Sequence, residues 1–203
     1  MSSRIVTLPN LLTMFRMVLI PVFVSLLFYQ KFIWALAVFI IAGVTDGLDG
    51  LFARRFNQKS QLGTILDPIA DKLLLVTSFV VLSLPSISAQ QQPPSHLPVP
   101  FWVTTAVISR DIFITVGAAA INIVTGFRSF RPSWLGKLNT TVQILAVVSI
   151  LIAASIPSWI SGYYLPTVYA TVFALSVISG VHYVFFASRL LNEERRQNEQ
   201  SLP

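Results

Sequence analysis

Four aspartates occur as two pairs within or beside apolar stretches of this 203-residue chain. Asp46 and Asp49 are three residues apart, and Asp67 and Asp71 are four apart, so each pair lies about one turn apart along a helix. Four carboxylates this close together repel one another and become protonated unless a cation lies between them. Because hard oxygen ligands suit Mg²⁺, Mn²⁺ or Ca²⁺, this aspartate array predicts a metal site able to clamp a phosphoryl group.

Small residues and an arginine lie between the two aspartate pairs. Gly50 and Gly63 let a phosphate approach the backbone, Ala53 leaves similar room, and Arg54 can donate a fork of hydrogen bonds to a phosphate. A lone Asp-x-x-Asp is more often a helix cap or a solvated face, and a lone glycine in a membrane helix is usually packing. The repetition of the acidic pair is what favours metal binding.

A second set of charges is basic. Arg110 lies inside an apolar stretch, where an unpaired cation is costly, and Lys137 opens the next one. An anionic substrate would satisfy both, with Arg128 and Arg131 nearby in the sequence. The alternative for Arg110 is an internal pair with Asp111 or with the aspartate array, and the alternative for the other three is a role as topology anchors.

The elements that position these residues are predicted to be membrane helices, because 54% of the residues are hydrophobic and 11% charged, against about 25% charged in soluble domains. We expect an all-α integral membrane protein. Arg16 interrupts the first apolar run, which we interpret as a retained span. The six predicted transmembrane helices are Leu11–Tyr29, Phe32–Ala53, Pro68–Leu84, Pro98–Val124, Leu138–Ile156 and Tyr164–Phe186.

Basic residues predict the orientation. They concentrate in the second connection, the fourth connection and the tail: Arg54, Arg55 and Lys59, then Arg128, Arg131 and Lys137, then Arg189, Arg195 and Arg196. By the positive-inside rule both termini are cytoplasmic, and the active site lies near the cytoplasmic ends of helices 2 and 3. The uncharged third connection, PSISAQQQPPSHLPVP, is expected to be an irregular external loop.

Several other classes of site and partner are disfavoured. The chain has no cysteine, so disulfides, thiolate nucleophiles and cysteine zinc sites are excluded. His96 and His182 are remote from the aspartates in the sequence and are not predicted ligands. The net charge of +6 lacks the interleaved basic and aromatic runs of nucleic-acid binders, so no nucleic-acid partner is expected.

Residues 46 to 71 read DGLDGLFARRFNQKSQLGTILDPIAD, which fits Asp-x2-Asp-Gly-x2-Ala-Arg-x8-Gly-x3-Asp-x3-Asp at each fixed position. This resembles the signature of the CDP-alcohol phosphatidyltransferase family. The resemblance extends to LPNLLTMFR before the first span and to the six-span plan, and thus to one domain over residues 1–203. It implies that Asp46, Asp49, Asp67 and Asp71 hold two Mg²⁺ or Mn²⁺ ions and that Asp71 also takes a proton.

The resemblance also implies the substrates. Gly50, Ala53, Arg54 and Gly63 would line the CDP end of CDP-diacylglycerol, and an acceptor hydroxyl would attack the lipid-bearing phosphorus with CMP leaving. LPNLLT and the basic fourth loop resemble family members that use glycerol 3-phosphate. Asp111 and Asn139 depart from that pattern and resemble the cardiolipin synthases, whose acceptor is phosphatidylglycerol.

Two non-enzymatic readings remain open at this point. A divalent-cation carrier or channel would use the aspartates as a permeation site, but it would place them deep in the bilayer and open to both sides. A structural membrane protein would use its charges only to hold helices together. The small residues at positions 117–120 could also pack between the subunits of a homodimer.

Overall fold

The computed structural model describes residues 8–55, 61–88, 97–125, 134–156 and 163–200. These ranges are mostly helical and contain no β-strand, which confirms the predicted all-α class. The helices are α1 (Leu8–Phe28), α2 (Phe32–Arg55), α3 (Gln61–Leu82), α4 (Pro85–Ser88), α5 (Phe101–Thr125), α6 (Trp134–Ser155) and α7 (Tyr164–Gln200).

Each predicted span coincides with a long helix. Helices α1, α5, α6 and α7 are long and apolar enough to cross a membrane, which makes this an integral membrane protein. In α2 and α3 the apolar stretches of the described residues are shorter, Phe32–Gly47 and Lys72–Leu82. The six-span count and the cytoplasmic placement of the site therefore stay predictions.

Three details differ from the sequence-based expectation. Helix α3 begins at Gln61, well before the predicted start of the third span at Pro68. The connection predicted to be irregular begins with the short helix α4, Pro85–Ser88. Helix α7 continues to Gln200, well past the predicted end of the last span at Phe186. The extension is rich in Glu, Arg, Gln and Leu, which have high helix propensity, so the helix outlasts its apolar segment.

The chain divides into two compact units. Unit 1 comprises Met1–Pro100 and Val147–Leu165, and unit 2 comprises Phe101–Ala146 and Pro166–Pro203. Helices α1 to α4 thus belong to unit 1, and α5 belongs to unit 2. The prediction of one domain over 1–203 stays a prediction.

In unit 1, α1 and α2 form a hairpin with a tight turn. Gln30 adopts a positive φ of 54°. The backbone N–H of Gln30 donates to Leu27 O at 3.0 Å, and the backbone N–H of Lys31 donates to Leu26 O at 2.8 Å. These bonds satisfy carbonyls at the end of α1 in the Schellman pattern. The ring centroids of Phe23 and Phe39 lie 5.8 Å apart across the hairpin, so packed aromatic side chains hold α1 against α2.

In unit 2, α5 packs against α7. Trp102 and Phe173 meet edge to face with centroids 5.1 Å apart. Further along the two helices, a Cβ built on Gly117 would come within 2.9 Å of Tyr183 Cε1, so the missing side chain permits the close approach. Between these contacts lie the polar residues of α5 and α7 that concern the candidate site.

Candidate active site

Asp46 of the aspartate array is held by an arginine from another helix. Arg16 of α1 is fully buried, and its Nη1 lies 2.9 Å from Oδ1 of Asp46 on α2. The Asp46 side chain is 41% exposed. The ion pair is therefore asymmetric, with the guanidinium inside the protein and the carboxylate reaching outward.

The hairpin explains why these two residues meet. Arg16 and Asp46 lie at similar sequence distances from the turn at Gln30. Because both helices rise by the same amount per residue, antiparallel packing brings the two positions to the same level. A buried guanidinium is tolerated only when it is paired, and Asp46 supplies a partner.

The remaining aspartates are placed by their backbone alone. Asp49 lies near the end of α2, and Asp67 and Asp71 lie in the first half of α3. Their side chains are outside the described part of the structure, as are those of Ala53 and Arg54 and the surroundings of Gly50 and Gly63. Within the described side chains no group of three acidic, histidine or cysteine residues occurs. The geometry of the array stays a prediction.

The donor set fits a hard divalent cation. Asp46 has a partly exposed carboxylate. The other three predicted ligands are also aspartates, one on α2 and two on α3. Carboxylate oxygens are the ligands that Mg²⁺ and Mn²⁺ prefer. Arg16 also adds a fixed positive charge beside the array, which would favour an anionic substrate there.

Arg110 of α5 has a defined set of partners in unit 2. Its Nη1 donates to Asp111 Oδ1 at 2.6 Å, and its Nε and Nη2 both donate to Ser179 Oγ of α7, at 3.2 and 2.7 Å. The side chains of Arg110 and Asp111 are only 9% and 10% exposed. The internal pair with Asp111 that the sequence offered as an alternative is thus formed.

Arg110 nevertheless also faces a groove. A groove of about 780 Å³ runs between α5 and α7, and Arg110 lines it together with aromatic and aliphatic side chains that include Phe101, Trp102, Phe113 and Phe173. A guanidinium shielded from water is a strong donor to any anion that reaches it, because little water competes for it. Pairing with Asp111 and binding an anion are therefore compatible.

Two amides of α6 are buried in unit 2. Asn139 accepts a hydrogen bond at Oδ1 from Ser176 Oγ of α7, at 3.3 Å. Gln143 follows one turn later on α6, and both amides are almost completely buried. Lys137, at the start of α6, is exposed, and Arg128 and Arg131 lie outside the described residues.

Sequence reasoning missed three of these residues. Arg16 had a visible signal, since it interrupts an apolar run, but its partner depends on how α1 packs against α2. Ser176 and Ser179 had none, because serines are common in membrane helices and most bond to their own backbone.

Comparison with known proteins agrees with the motif. The sequence model of the CDP-alcohol phosphatidyltransferase family matches residues 6–187. A probable phosphatidylglycerophosphate synthase of Mycobacterium tuberculosis strain H37Rv is 34% identical over 194 residues, 92% of this chain and 84% of that protein.

Two further relatives share one name, CDP-diacylglycerol--glycerol-3-phosphate 3-phosphatidyltransferase. The protein of Blochmanniella floridana is 32% identical over 191 residues, 91% of this chain and 92% of its own length. The protein of Salmonella paratyphi A is 36% identical over 151 residues, 71% of this chain and 76% of its own length. The family resemblance first seen in residues 46 to 71 is thereby confirmed, and it extends along nearly the whole chain. This protein belongs to the CDP-alcohol phosphatidyltransferase family.

Proposed function

We propose that this enzyme transfers a phosphatidyl group from CDP-diacylglycerol to glycerol 3-phosphate, releasing CMP and forming phosphatidylglycerophosphate. The observation that carries the proposal is how much of this chain its relatives match. Two proteins with that activity in their names match 92% and 91% of it. The match covers both units, and so includes the helices that bear the aspartates and those that bear Arg110.

The reaction exchanges one phosphate ester for another. The acceptor's hydroxyl oxygen forms a bond to the phosphorus that carries the diacylglycerol, and the bond from that phosphorus to the CMP oxygen breaks. The hydroxyl proton passes to the Asp71 carboxylate, and CMP leaves with the electrons of the broken bond. Such a transfer depends mainly on positioning and on stabilising charge.

The aspartate array is proposed to hold two Mg²⁺ or Mn²⁺ ions through Asp46, Asp49, Asp67 and Asp71. When bound, these ions would neutralise charge on the donor's phosphates and on the leaving group. Arg16 keeps the Asp46 carboxylate in one orientation through the 2.9 Å contact. The fit of carboxylate donors to hard cations supports this assignment.

The substrates are proposed to bind through the remaining site residues. Gly50, Ala53, Arg54 and Gly63 line the cytidine diphosphate of the donor. Arg110 binds the phosphate of glycerol 3-phosphate, with Lys137, Arg128 and Arg131 as further basic residues for the same anion. The position of Arg110 beside an apolar groove supports its part in anion binding.

The membrane arrangement is part of the proposal. Helices α2 and α3 would be the second and third of six spans, both termini would be cytoplasmic, and the aspartates would lie near the cytoplasmic ends of α2 and α3. Residues 1–203 would act as one catalytic domain, and two copies would associate as a homodimer. The basic connections support this orientation.

A second candidate activity is cardiolipin synthesis with phosphatidylglycerol as acceptor. The observation that favours it is Asn139, a neutral and fully buried residue where glycerol 3-phosphate enzymes of the family are expected to have lysine. Its amide is uncharged, so it offers a phosphate no positive charge, and its Oδ1 accepts a hydrogen bond from Ser176.

An acceptor panel tests both activities. Purified protein is incubated with CDP-diacylglycerol, Mg²⁺ or Mn²⁺ and one acceptor at a time, and CMP release is measured along with the lipid product. We expect turnover with glycerol 3-phosphate and little with phosphatidylglycerol. Turnover only with phosphatidylglycerol would establish the second candidate, and turnover only with serine or inositol phosphate would exclude both. Asp71→Asn serves as the inactive control.

A further inference from the structure

We propose that Ser179 is a positioning residue that selects which edge of the Arg110 guanidinium meets the acceptor's phosphate. The inference rests on the proposed function, in which Arg110 binds that phosphate. It concerns a residue of α7 that has no predicted contact with either substrate. Its basis is the pair of hydrogen bonds that converge on the Ser179 hydroxyl.

Counting N–H bonds shows what Ser179 leaves available. A guanidinium carries five of them in a fixed fork. One on Nε and one on Nη2 go to Ser179 Oγ, and one on Nη1 goes to Asp111 Oδ1. Two remain, one on each terminal nitrogen. Arginine binds phosphate best with two parallel N–H bonds, and a phosphate that approaches the end of the guanidinium would meet both terminal nitrogens.

Ser179 is suited to this task because its oxygen is neutral and fixed. The residue is almost fully buried on α7, and its Oγ accepts along the side of the guanidinium without cancelling its charge. Without this acceptor, the guanidinium would keep the contact of Nη1 with Asp111 but could turn about that contact and present another edge. Ser179 therefore confines Arg110 to one orientation before the acceptor arrives, which reduces the entropy lost on binding.

A purely structural role for Ser179 makes a different prediction. If its hydroxyl only satisfied a buried cation, Ser179→Ala would lower the melting temperature and leave the affinity for substrates unchanged. If it positions Arg110, the KM for glycerol 3-phosphate rises while kcat and the KM for CDP-diacylglycerol stay close to wild type. The split between the two KM values is therefore the informative measurement.

The experiment compares three single variants of the 203-residue chain. Ser179→Ala removes the acceptor, Ser179→Thr keeps a hydroxyl, and Ser188→Ala is the matched control, because Ser188 is an exposed serine of the same helix that bonds to Phe185 O. We expect a roughly five- to tenfold higher KM for glycerol 3-phosphate in Ser179→Ala. Ser179→Thr should regain most of the affinity, and Ser188→Ala should match wild type.

A double-mutant cycle with Arg110→Lys separates positioning from general damage. Lysine has no fork to orient, so adding Ser179→Ala to Arg110→Lys should raise the KM for glycerol 3-phosphate no further. Fully additive effects, or an unchanged KM in Ser179→Ala, would overturn the proposal. If wild type uses phosphatidylglycerol instead, the proposed function fails. The positioning role of Ser179 is then tested by measuring the KM for phosphatidylglycerol in the same variants. Fully additive effects or an unchanged KM would again overturn it.

Discussion

Among the side chains that the structure describes, each unit shows an arginine–aspartate pair, and the two pairs are built in opposite ways. In unit 1, Arg16 is fully buried and Asp46, from the neighbouring helix, is 41% exposed. In unit 2, Arg110 and Asp111 are consecutive residues of one helix, and both side chains are nine-tenths buried. The guanidinium of Arg110 has a further partner in Ser179, from a second helix.

The difference indicates which partner of each pair is offered to a ligand. In unit 1 the base is hidden and the acid faces outward, so the pair can present a carboxylate to a cation. In unit 2, Arg110 lines a groove, and its contacts with Asp111 and Ser179 use three of its five N–H bonds. Arg110 can therefore still donate hydrogen bonds to an anion. Under the proposed function, one type of ion pair would thus support a metal ligand in one unit and an anion-binding residue in the other.

The largest expected effect comes from the acidic side of this comparison. Asp71→Asn removes the proposed proton acceptor and a proposed metal ligand, so turnover should fall by roughly a thousandfold or more while the protein still folds. CMP release and the melting temperature of the purified variant measure the two properties. Near-native turnover would contradict the catalytic role of Asp71 and would favour the structural reading of the charges.

Asp46→Asn should abolish the response of the protein to metal. A bound ion stabilises the folded state by an amount that grows with its concentration, about 2.7 kcal/mol at a hundred times Kd. We expect Mn²⁺ to raise the melting temperature of wild type and to have little effect on Asp46→Asn. An equal rise in both proteins would show that Asp46 is no ligand. Asp111→Asn is the control, because Asp111 is not among the proposed metal ligands.

The two arginines should differ in what their loss does to stability. Arg110→Met leaves Asp111 buried beside an apolar side chain, and an uncompensated buried charge costs about 3–5 kcal/mol. Arg16→Met leaves Asp46, which is already partly exposed and can be hydrated, so we expect about 1.5–3 kcal/mol, the value of a hydrogen bond to a charged group. Unfolding in mixed micelles would measure both. A larger loss for Arg16→Met would reverse the comparison.

The sequence predicts the helices well and their contacts poorly. Long apolar runs locate the six long helices, because spanning a bilayer requires such runs and few other structures do. The pairing of Arg110 with Asp111 was also foreseeable, since the residues are neighbours. Arg16 with Asp46 and Arg110 with Ser179 join different helices, and their register depends on packing that no local pattern encodes. The same holds for Gly117, whose close approach to Tyr183 gives it a role that Gly43 lacks.

The smallest expected effect tests how α5 and α7 hold Ser179 against Arg110. A Cβ at Gly117 would lie 2.9 Å from Tyr183 Cε1, so Gly117→Ala must displace the buried Tyr183 ring or separate the helices. We expect a loss of about 1 kcal/mol in stability and a modest rise in the KM for glycerol 3-phosphate.

Gly43→Ala is the matched substitution in unit 1. Nothing lies within 4 Å of the Cβ that it adds, and alanine is the better helix former, so its stability should equal or slightly exceed that of wild type. Equal behaviour of the two variants would mean that the approach of α5 to α7 tolerates a methyl group. In that case the orientation of Arg110 would depend on Ser179 and Asp111 alone, and a rise in the acceptor's KM in Gly117→Ala would not be expected.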